Sequence, residues 1–449
     1  MPVLPDDRLP RVAVVGFGYV GSCLSAVLAG RGLEVVGVDT DETLVAEIGR
    51  GYCRFQEEGL AELIGRTTAA GLLRVTSDPA AVEGADVVVI AVGTPVRPDG
   101  SLADEQLREV CEELGGRLRP GTLVLLKSTV SPGTTRTVVA PLLEKGGLVA
   151  GRDFALAFTP ERLAEGAALR ELGTFPIVVG GFDEESTRTA AGFWERSLGV
   201  GTIVVDSLES AEIVKLADNW WIDLNIALAN ELAQFCDLFG ADVMEVIGAA
   251  NTIAKGGGSV NILTPGVGVG GSCLTKDPWM VWRAARERGV EIRTAPVGRE
   301  VNSLMPGHTA GLIVEGLAAL GRPAAGSRVA VLGLSFKSGS GDLRATPVLD
   351  TVRALTAAGA EVRTYDPLAD RAAATAMFGI APEESVAEAV RGADCVAVLA
   401  RHPELAGLDF GELPLAGRAL VLDGRDCFSA GEIAAVRGAG HVYRGIGRR

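Results

Sequence analysis

The stretch Gly266–Asp277 combines four glycines with a thiol, an ammonium group and a carboxylate. Glycines have no Cβ, so the backbone can turn tightly here and approach a ligand closely. The thiol of Cys273 is followed by Lys276 and Asp277 and then by an apolar run typical of a helix. At the start of that helix the dipole would favour the thiolate, which is the nucleophilic form of cysteine. The alternative is a glycine hinge with an inert cysteine, because free cysteines are commonly buried.

Two further pairs of polar residues have helical spacing. Lys215 and Asn219 lie four residues apart in a region with apolar residues every three to four positions. Glu161 and Glu165 have the same spacing and would share a face if their segment is helical. Such pairs can aim polar groups into a site, but they also occur on solvated faces, where Lys215 would pair with Glu212. Spacing alone favours the solvated faces.

A glycine turn near the N-terminus has the pattern of a dinucleotide-binding loop. The β-type run Arg11–Val15 leads directly into Gly16, Gly18 and Gly21, an apolar helical stretch follows, and the next strand-like run ends at Asp39. In this arrangement the first amides of the helix hold a pyrophosphate and the acid accepts hydrogen bonds from the ribose. An acid at this position disfavours the extra phosphate of NADP. The sequence therefore predicts NAD as the cofactor.

The alternation of strands and helices continues along the chain. Strand-like runs recur at Ala85–Val92, Leu123–Lys127 and Phe154–Phe158, and the first two are followed by Thr94 and Thr129. Ligands of doubly wound sheets bind at the carboxyl ends of the strands. Each of the two threonines is therefore a candidate cofactor contact, although each could equally be a helix N-cap.

A long amphipathic region separates this domain from a second α/β region. The apolar periodicity from about Ser210 to Gly240 predicts one long helix that spans domains or forms a dimer surface. Gly321–Ser327 has the composition of a linker, and Arg328–Leu332 begins a second alternation without the three-glycine turn. Lys337 and Arg344 follow and are placed to meet the phosphates of a nucleotide-like ligand.

We therefore predict the α/β class, with two Rossmann-like doubly wound domains joined by a long-helix central domain. The predicted bounds are residues 1–206 for the NAD-binding domain, 207–320 for the central helical domain with the cysteine loop, and 321–449 for the C-terminal Rossmann-like domain, which would hold a nucleotide-like ligand. A chain of 449 residues is expected to divide in this way, since single cores rarely grow so large.

Composition excludes several other classes of protein. The net charge of −15 disfavours a nucleic-acid partner, which needs clustered Lys and Arg. Seven cysteines without paired spacing do not form a disulfide framework, and no metal site is predicted. No apolar run is long enough to span a membrane, and residues 1–10 lack the apolar segment of a signal peptide. We expect a cytoplasmic protein.

Taken together, these motifs resemble the nucleotide-sugar dehydrogenases, the family of UDP-glucose 6-dehydrogenase and of relatives acting on UDP-N-acetylhexosamines. The resemblance extends from Arg11 to about Asp426, and the string Gly-Gly-Ser-Cys-Leu-Thr-Lys-Asp is its most specific part. It implies that two NAD molecules in turn oxidise the primary alcohol of the sugar, through an aldehyde, to a carboxylate. It also implies that a cysteine captures the aldehyde, which explains why this dehydrogenase would need a thiol.

The resemblance assigns roles to particular residues. The implied catalytic residues are Cys273, Lys215, Asn219, Asp277, Glu161 and Thr129. The implied cofactor contacts are Gly16, Gly18, Gly21, Asp39, Thr94, Glu165, Lys276 and Arg344, and the implied substrate contacts are Arg162, Leu163, Gly270 and Lys337. Cys273 would form a thiohemiacetal and then a thioester. Asp277 through water, or Lys215, would be the base of the first step, and Glu161 would assist hydrolysis.

The motifs leave the sugar open. Lys276-Asp277 is similar to the glucose enzymes, whereas Val260–Leu263 and Arg299–Asn302 are more similar to the acetamidosugar enzymes, and Ser259 replaces a basic residue common in the family. Glucose is the first choice of sugar, with either uridine or thymidine as the base. We also expect a homodimer joined through the long helix. The alternatives are a two-electron hydroxyacid dehydrogenase, which needs no cysteine, and an NAD-binding regulator without turnover.

Overall fold

The chain forms two compact units, Met1–Asp218 and Asn219–Arg449. The structure is a computed structural model and describes residues 4–5, 8–97, 99–255 and 258–449. Each unit contains a Rossmann-like, mainly parallel sheet. In chain order, the long helices follow the strands of the first sheet and precede those of the second. The predicted α/β class with a helical central domain is confirmed, while the three domain bounds given above stay predictions.

Eight strands build the sheet of the first unit. In chain order they are β1 (Val12–Val15), β2 (Val35–Val38), β3 (Leu73–Thr76), β4 (Val87–Ile90), β5 (Leu123–Leu126), β6 (Ala155–Phe158), β7 (Ile177–Gly181) and β8 (Thr202–Val204). Their spatial order is β3-β2-β1-β4-β5-β6-β7-β8, and β6 and β7 form the one antiparallel pair in this described sheet. The chain winds outward from β1 in both directions, which is the doubly wound arrangement.

Helices cover both faces of this sheet. They are α1 (Tyr19–Gly30), α2 (Glu42–Gly49), α3 (Leu60–Ala69), α4 (Glu105–Gly115), α5 (Ala140–Glu144), α6 (Ala168–Leu172) and α7 (Glu184–Leu198), with a 3₁₀ turn at Pro79–Val82 and a π-helical turn at Thr135–Val139. Side chains of β1 alternate between two cores, Val12 and Val14 in one and Ala13 and Val15 in the other. Strands buried on both faces explain the continuous apolar runs in the sequence.

One long helix, α8 (Leu208–Phe239), confirms the long helix predicted from the periodicity. It is followed by α9 (Val243–Ala250), the short hairpin β9 (Ala254–Lys255) and β10 (Gly258–Ser259), α10 (Asp277–Arg286) and α11 (Thr294–Ala319). No helix in the described ranges is both long and apolar enough to cross a membrane.

The second sheet is built entirely from parallel pairs. Its strands are β11 (Arg328–Leu332), β12 (Glu361–Tyr365), β13 (Cys395–Val398), β14 (Leu420–Asp423) and β15 (Val442–Gly445), in the spatial order β12-β11-β13-β14-β15. The helices of this domain are α12 (Val348–Ala357), α13 (Arg371–Phe378), α14 (Val386–Ala389) and α15 (Ala430–Gly438), with a 3₁₀ turn at Pro403–Leu405. The runs Arg328–Leu332, Glu361–Tyr365 and Asp394–Leu399 predict β11, β12 and β13 from the sequence, which does not predict β14 and β15.

The three glycines of the turn from β1 into α1 differ in how far the backbone requires them. Gly16 has φ +91°, a backbone conformation that side chains rarely adopt. A Cβ on Gly21 would lie 2.0 Å from the carbonyl oxygen of Gly16, so helix and turn can approach only without it. A Cβ on Gly18 would meet no atom within 4 Å. Two of the glycines are thus required by the fold, and the third faces open space.

This contrast predicts different effects of two single-methyl substitutions. Gly21→Ala should destabilise the protein by about 2 kcal/mol or more, because the methyl group overlaps the backbone. Gly18→Ala should change the free energy of unfolding by less than about 1 kcal/mol, as expected for alanine in place of glycine at an N-cap. Thermal unfolding of both variants beside the wild type provides the measurement. Equal melting temperatures for the two variants would contradict this account of the turn.

Candidate active site

A cleft lies at the carboxyl ends of β1, β2 and β4, beside the glycine turn. It has about 530 Å³ of empty space, and its lining includes Gly16, Asp39, Pro79, Val92 and Val110. One oxygen of Asp39 accepts a hydrogen bond from the amide of Phe17 at 2.7 Å, so the carboxylate is held against the turn. The glycine turn and Asp39, which the sequence predicts as parts of one dinucleotide-binding site, therefore lie in contact with each other.

These residues fit a dinucleotide. The open space at Gly18 leaves room for a pyrophosphate against the first amides of α1, where anions bind favourably. The mainly apolar lining suits an adenine ring, and Asp39 lies at the end of β2, where a ribose acceptor is needed. When bound, NAD supplies a hydride acceptor, and the chain supplies the surfaces that orient it.

The loops that follow β4 and β5 are joined by side-chain hydrogen bonds. The hydroxyl of Thr94 donates to the carbonyl of Thr129 at 2.6 Å, and the hydroxyl of Ser128 donates to the carbonyl of Val92 at 2.7 Å. Neither threonine caps a helix, because the N-cap of α4 is Asp104 and the helical turn after β5 begins only beyond Gly133. The N-cap interpretation is therefore wrong for both, and their contact with the cofactor stays a prediction.

Lys215 and Glu161 meet inside the first unit. The Nζ of Lys215 lies 3.3 Å from a carboxylate oxygen of Glu161, and both side chains are largely buried. The solvated stripe that spacing favoured is therefore wrong for Lys215, which is 4% exposed. The expected pair of Lys215 with Glu212 is also wrong, because Glu212 accepts hydrogen bonds from Gly133 and Thr135 instead.

The segment that follows β6 is irregular rather than helical. Residues 161–164 have no regular structure and α6 begins only at Ala168, so helical spacing of Glu161 and Glu165 does not apply. The proline and glycine in Thr159–Gly166 explain why a helix does not form here. The amide of Leu163 donates to the Glu161 carboxylate, and Arg162 donates to the carbonyl of Pro176 at 2.9 Å.

Sequence reasoning missed a buried lysine beside these groups. Lys127, directly after β5, is 5% exposed and donates to the carbonyl of Thr159 at 3.2 Å. Its Nζ also lies 5.2 Å from the centre of the Trp194 ring. Burial lowers the pKa of Lys127 to about 8, although Glu161 opposes this shift. The sequence signal that could have identified Lys127 is a cationic residue directly at the end of an apolar, buried strand.

A second missed contact joins the glycine turn to the segment after β6. The hydroxyl of Tyr19 donates to the carboxylate of Glu57, and the same carboxylate accepts from the amide of Gly166 at 2.7 Å. Burial, followed by the hydrogen bond to Glu57, raises the pKa of Tyr19. The segment carrying Glu161 and Glu165 is thus tied to the first turn of α1.

In the second unit, Asn219 and Asp277 form a buried hydrogen bond. The side-chain amide of Asn219 donates to one oxygen of Asp277 at 2.5 Å, and Lys276 donates to the other oxygen at 2.7 Å. Asp277 is fully buried, and Asn219 is 8% exposed. Two donors satisfy this carboxylate, which would otherwise be costly to bury.

Cys273 differs from the other cysteines of the chain. All seven lie in described residues, and Cys273 is the one that is exposed. It precedes α10 by one turn, and the amides of Lys276 and Asp277 donate to its carbonyl at 3.0 and 2.9 Å. The expected position in the first turn of the helix is therefore wrong, and those amides do not point to the sulfur. The buried, inert cysteine is excluded by its exposure.

The glycines before Cys273 pack against protein rather than open space. A Cβ on Gly270 would lie 2.6 Å from the carbonyl oxygen of Ala345, and one on Gly271 would lie 2.8 Å from the Phe336 ring. Arg425 adds hydrogen bonds to the carbonyls of Gly268 and Phe336. Burial lowers the pKa of Arg425 to about 10. The predicted ligand contact of Gly270 stays a prediction, but packing explains why glycine is required.

The two predicted cations of the C-terminal domain lie on one connection after β11. Lys337 is exposed, and Arg344 pairs with Asp342 at 2.5 Å while its carbonyl accepts from the amide of Gly271. Arg344 is therefore next to the cysteine loop. No cluster of three or more His, Cys, Asp or Glu side chains suited to a metal occurs in the described part of the chain.

Three family models match successive parts of the chain. They are the NAD-binding domain of the UDP-glucose/GDP-mannose dehydrogenase family at residues 10–197, its central domain at 209–304 and its UDP-binding domain at 330–430. The matches cover most strands of both sheets and the helical region that carries Asn219, Cys273 and Asp277.

Individual relatives agree with these models. UDP-N-acetyl-D-mannosamine dehydrogenase of Pyrococcus horikoshii is 34% identical over 98% of this chain and 99% of the relative. UDP-glucose 6-dehydrogenase of Haloferax volcanii is 35% identical over 92% of this chain and 96% of the relative. The solved structure of the Pyrococcus horikoshii UDP-D-ManNAc dehydrogenase gives a TM-score of 0.87 at 32% identity, covering 98% of this chain and 99% of that one.

Sequence motifs, fold and full-length relatives lead to the same assignment. The chain belongs to the UDP-glucose/GDP-mannose dehydrogenase family and is an NAD-dependent nucleotide-sugar dehydrogenase.

Proposed function

We propose that this enzyme oxidises carbon 6 of a UDP-N-acetylhexosamine to the carboxylate through a thioester on Cys273. The observation that carries the proposal is the exposure of this one thiol, on a loop that leads into the buried pair Asn219 and Asp277. A simple two-electron dehydrogenase needs no thiol. An exposed nucleophile beside satisfied polar groups suits a reaction that captures its aldehyde.

The first step removes a proton and a hydride from the alcohol. Asp277 acting through a water molecule, or Lys215, takes the hydroxyl proton while the hydride leaves carbon 6 for the bound nicotinamide. Lys276 and Asn219 already donate to Asp277, so they fix the direction of its carboxylate. The product of this step is an aldehyde that stays bound.

The second step begins with attack of the Cys273 sulfur on the aldehyde carbon. A carbon–sulfur bond forms, and the thiol proton passes to a base. Lys215 and Asn219 donate to the oxygen as it gains charge. A second hydride then leaves carbon 6 for a second molecule of NAD, which converts the thiohemiacetal into a thioester.

Hydrolysis completes the cycle. Water attacks the thioester carbon, the carbon–sulfur bond breaks, and the thiolate recovers a proton. Glu161 accepts the proton of that water, and Thr129 helps to orient the water. The contact of Glu161 with Lys215 at 3.3 Å supports this assignment. Arg162, Leu163, Gly270 and Lys337 are assigned to substrate binding, and Glu165, Lys276 and Arg344 to the cofactor.

The choice of an acetamidosugar rests on relatives and motifs together. UDP-N-acetyl-D-mannosamine dehydrogenases are among the full-length relatives, and the segments Val260–Leu263 and Arg299–Asn302 are similar to that branch. UDP-glucose, the first choice from sequence motifs, is the second candidate. It is favoured by the Lys276-Asp277 pair and by the relative from Haloferax volcanii.

A homodimer is proposed from the apolar side chains that α8 exposes. Trp221, Leu228 and Phe235 recur every seven residues and are each about half exposed, which places them along one side of the helix. Leu238 and Phe239 extend the stripe and are still more exposed. In a dimer with a two-fold axis, α8 can pack against α8 of the second copy. The exposed apolar side chains of each α8 would then cover those of the other. Such a contiguous patch is typical of an interface.

The reaction predicts a fixed stoichiometry and a dependence on one thiol. With a panel of UDP-N-acetylhexosamines and UDP-glucose, the wild type should yield two NADH per sugar acid and give its highest kcat/KM with an acetamidosugar. Cys273→Ser should lower steady-state kcat by at least about 100-fold, with little change in substrate affinity. Absorbance and product mass spectrometry measure both.

A matched variant separates catalysis from folding. Cys427→Ser changes a half-buried thiol elsewhere in the second unit and should keep wild-type turnover. One NADH per product would contradict the four-electron reaction. Near-normal acid production by Cys273→Ser would contradict the thioester. A higher kcat/KM with UDP-glucose would change the assigned substrate to UDP-glucose, but it would not contradict the proposed reaction.

Asp39 should determine the choice of cofactor. A carboxylate next to the 2′-phosphate of NADP is repulsive, so kcat/KM should be at least about tenfold higher with NAD. Asp39→Asn should reduce this preference while keeping an acceptor for the Phe17 amide. Asp41→Asn, at the N-cap of α2, is the control and should leave the preference unchanged. Equal efficiency of the wild type with both cofactors would rule out this role.

The dimer should depend on the stripe of α8. Phe235→Glu should shift the molar mass from that of a dimer toward that of a monomer, because a buried unpaired carboxylate is unfavourable at an interface. Val290→Glu, at an exposed apolar residue outside α8, should leave the mass unchanged. Light scattering at micromolar concentration measures both. A monomeric wild type would contradict the proposal.

A further inference from the structure

Glu212 is a fully buried carboxylate on α8, and the reaction described above does not use it. Its relative exposure is 0%. One oxygen accepts from the amide of Gly133 at 2.5 Å, and the other accepts from the amide and the hydroxyl of Thr135 at 2.8 and 2.5 Å. The carboxylate therefore connects α8 to the loop that follows β5.

These three donors are uncharged groups with fixed directions. Burial raises the pKa of Glu212, and the hydrogen bonds from Thr135 and Gly133 act in the opposite direction. Gly133 has φ +94°, so the loop turns in a conformation reserved for glycine just where the carboxylate receives its amide. A carboxylate is the side chain that can accept from all three donors at once.

The position of this contact relates it to the catalytic groups. Lys215 follows Glu212 by three residues, one turn further along α8, and lies 3.3 Å from Glu161 on the segment after β6. The loop held by Glu212 begins at Ser128 and Thr129. A single turn of α8 thus contacts both connections that carry candidate catalytic residues of the first unit.

We propose that Glu212 is a positioning residue, which fixes the loop after β5 relative to Lys215. The proposal rests on the roles of Lys215 and Thr129 in the proposed function. Glu212 touches neither the reacting carbon nor the cofactor, and acts through the backbone of Gly133 and Thr135. Its replacement should therefore lower the rate of chemistry more than it weakens the binding of NAD.

Glu212→Gln is the main test, because it keeps the size of the side chain. The new amide group would face a backbone N–H, so one donor would oppose another and the loop would move. A displacement of about 1 Å can cost about 100-fold in rate, so kcat should fall by about 10- to 100-fold while KM for NAD stays within about twofold.

Glu209→Gln is the matched control. Glu209 lies one turn earlier on α8 and pairs with Arg136, at the same connection, but both side chains are more than a third exposed. The substitution is the same Glu-to-Gln change, but the ion pair that it breaks lies at the surface, where such pairs contribute little to stability. This variant should retain wild-type kcat.

Thr135→Val provides a second route if Glu212→Gln folds poorly. It removes one hydroxyl donor, keeps the side-chain shape and leaves both amide bonds to Glu212. A smaller loss is expected, with kcat about three- to tenfold below that of the wild type and an unchanged KM for NAD.

Steady-state kinetics and thermal unfolding of the four proteins give separable outcomes. Low kcat with normal KM for NAD in Glu212→Gln and Thr135→Val, beside normal Glu209→Gln, supports positioning. A lower melting temperature with kcat per folded enzyme within twofold of wild type overturns it and leaves a purely structural carboxylate. Failure of the wild type to oxidise any nucleotide sugar would instead overturn the proposed function.

Discussion

Buried polar side chains are unfavourable unless their hydrogen bonds are satisfied, and α8 buries five of them along its length. In the first unit, Glu212 is satisfied by the loop after β5 and Lys215 by the segment after β6. In the second unit, Asn219 donates to Asp277, and Asp223 accepts from Arg299 and Asn302 of α11. Asn230 accepts from the amide of Gly266. Glu212, Lys215 and Asn230 thus each hold one loop, whereas Asn219 and Asp223 join α8 to α10 and α11. The second oxygen of Asp223 is buried and has no hydrogen-bond partner among the described residues.

The cysteine loop shows how packing and chemistry can require the same residues. Gly270 and Gly271 are next to Ala345 and Phe336, where a Cβ would overlap existing atoms. Gly268 has φ +126° and its carbonyl accepts from Arg425. The loop is therefore held against the C-terminal domain of its own unit, and the exposed Cys273 follows it. A glycine-rich string can look like a flexible ligand loop while it is in fact closely packed.

Much of this organisation could be predicted from the sequence. The glycine turn with Asp39, most strands of the two sheets and the long helix follow from local patterns, because strand and helix periodicity reports burial directly. Local patterns could not predict whether the polar residues on one side of a helix are buried or exposed to solvent. Lys215 and Asn219 have the spacing of a solvated face, and only the donors and acceptors on distant segments decide that they are buried. Lys127 and Glu57 were missed for the same reason, since their partners are remote in sequence.

The central claim is that the sugar becomes covalently attached to Cys273 during turnover. Acid quenching during steady-state turnover of Glu161→Gln, in which hydrolysis should be slow, followed by mass spectrometry of the peptide containing Cys273, tests it directly. The account predicts that this peptide gains the mass of the nucleotide sugar acid joined as a thioester, and that Cys273→Ser in the same background does not. An unmodified Cys273 while the acid accumulates at an undiminished rate would contradict it.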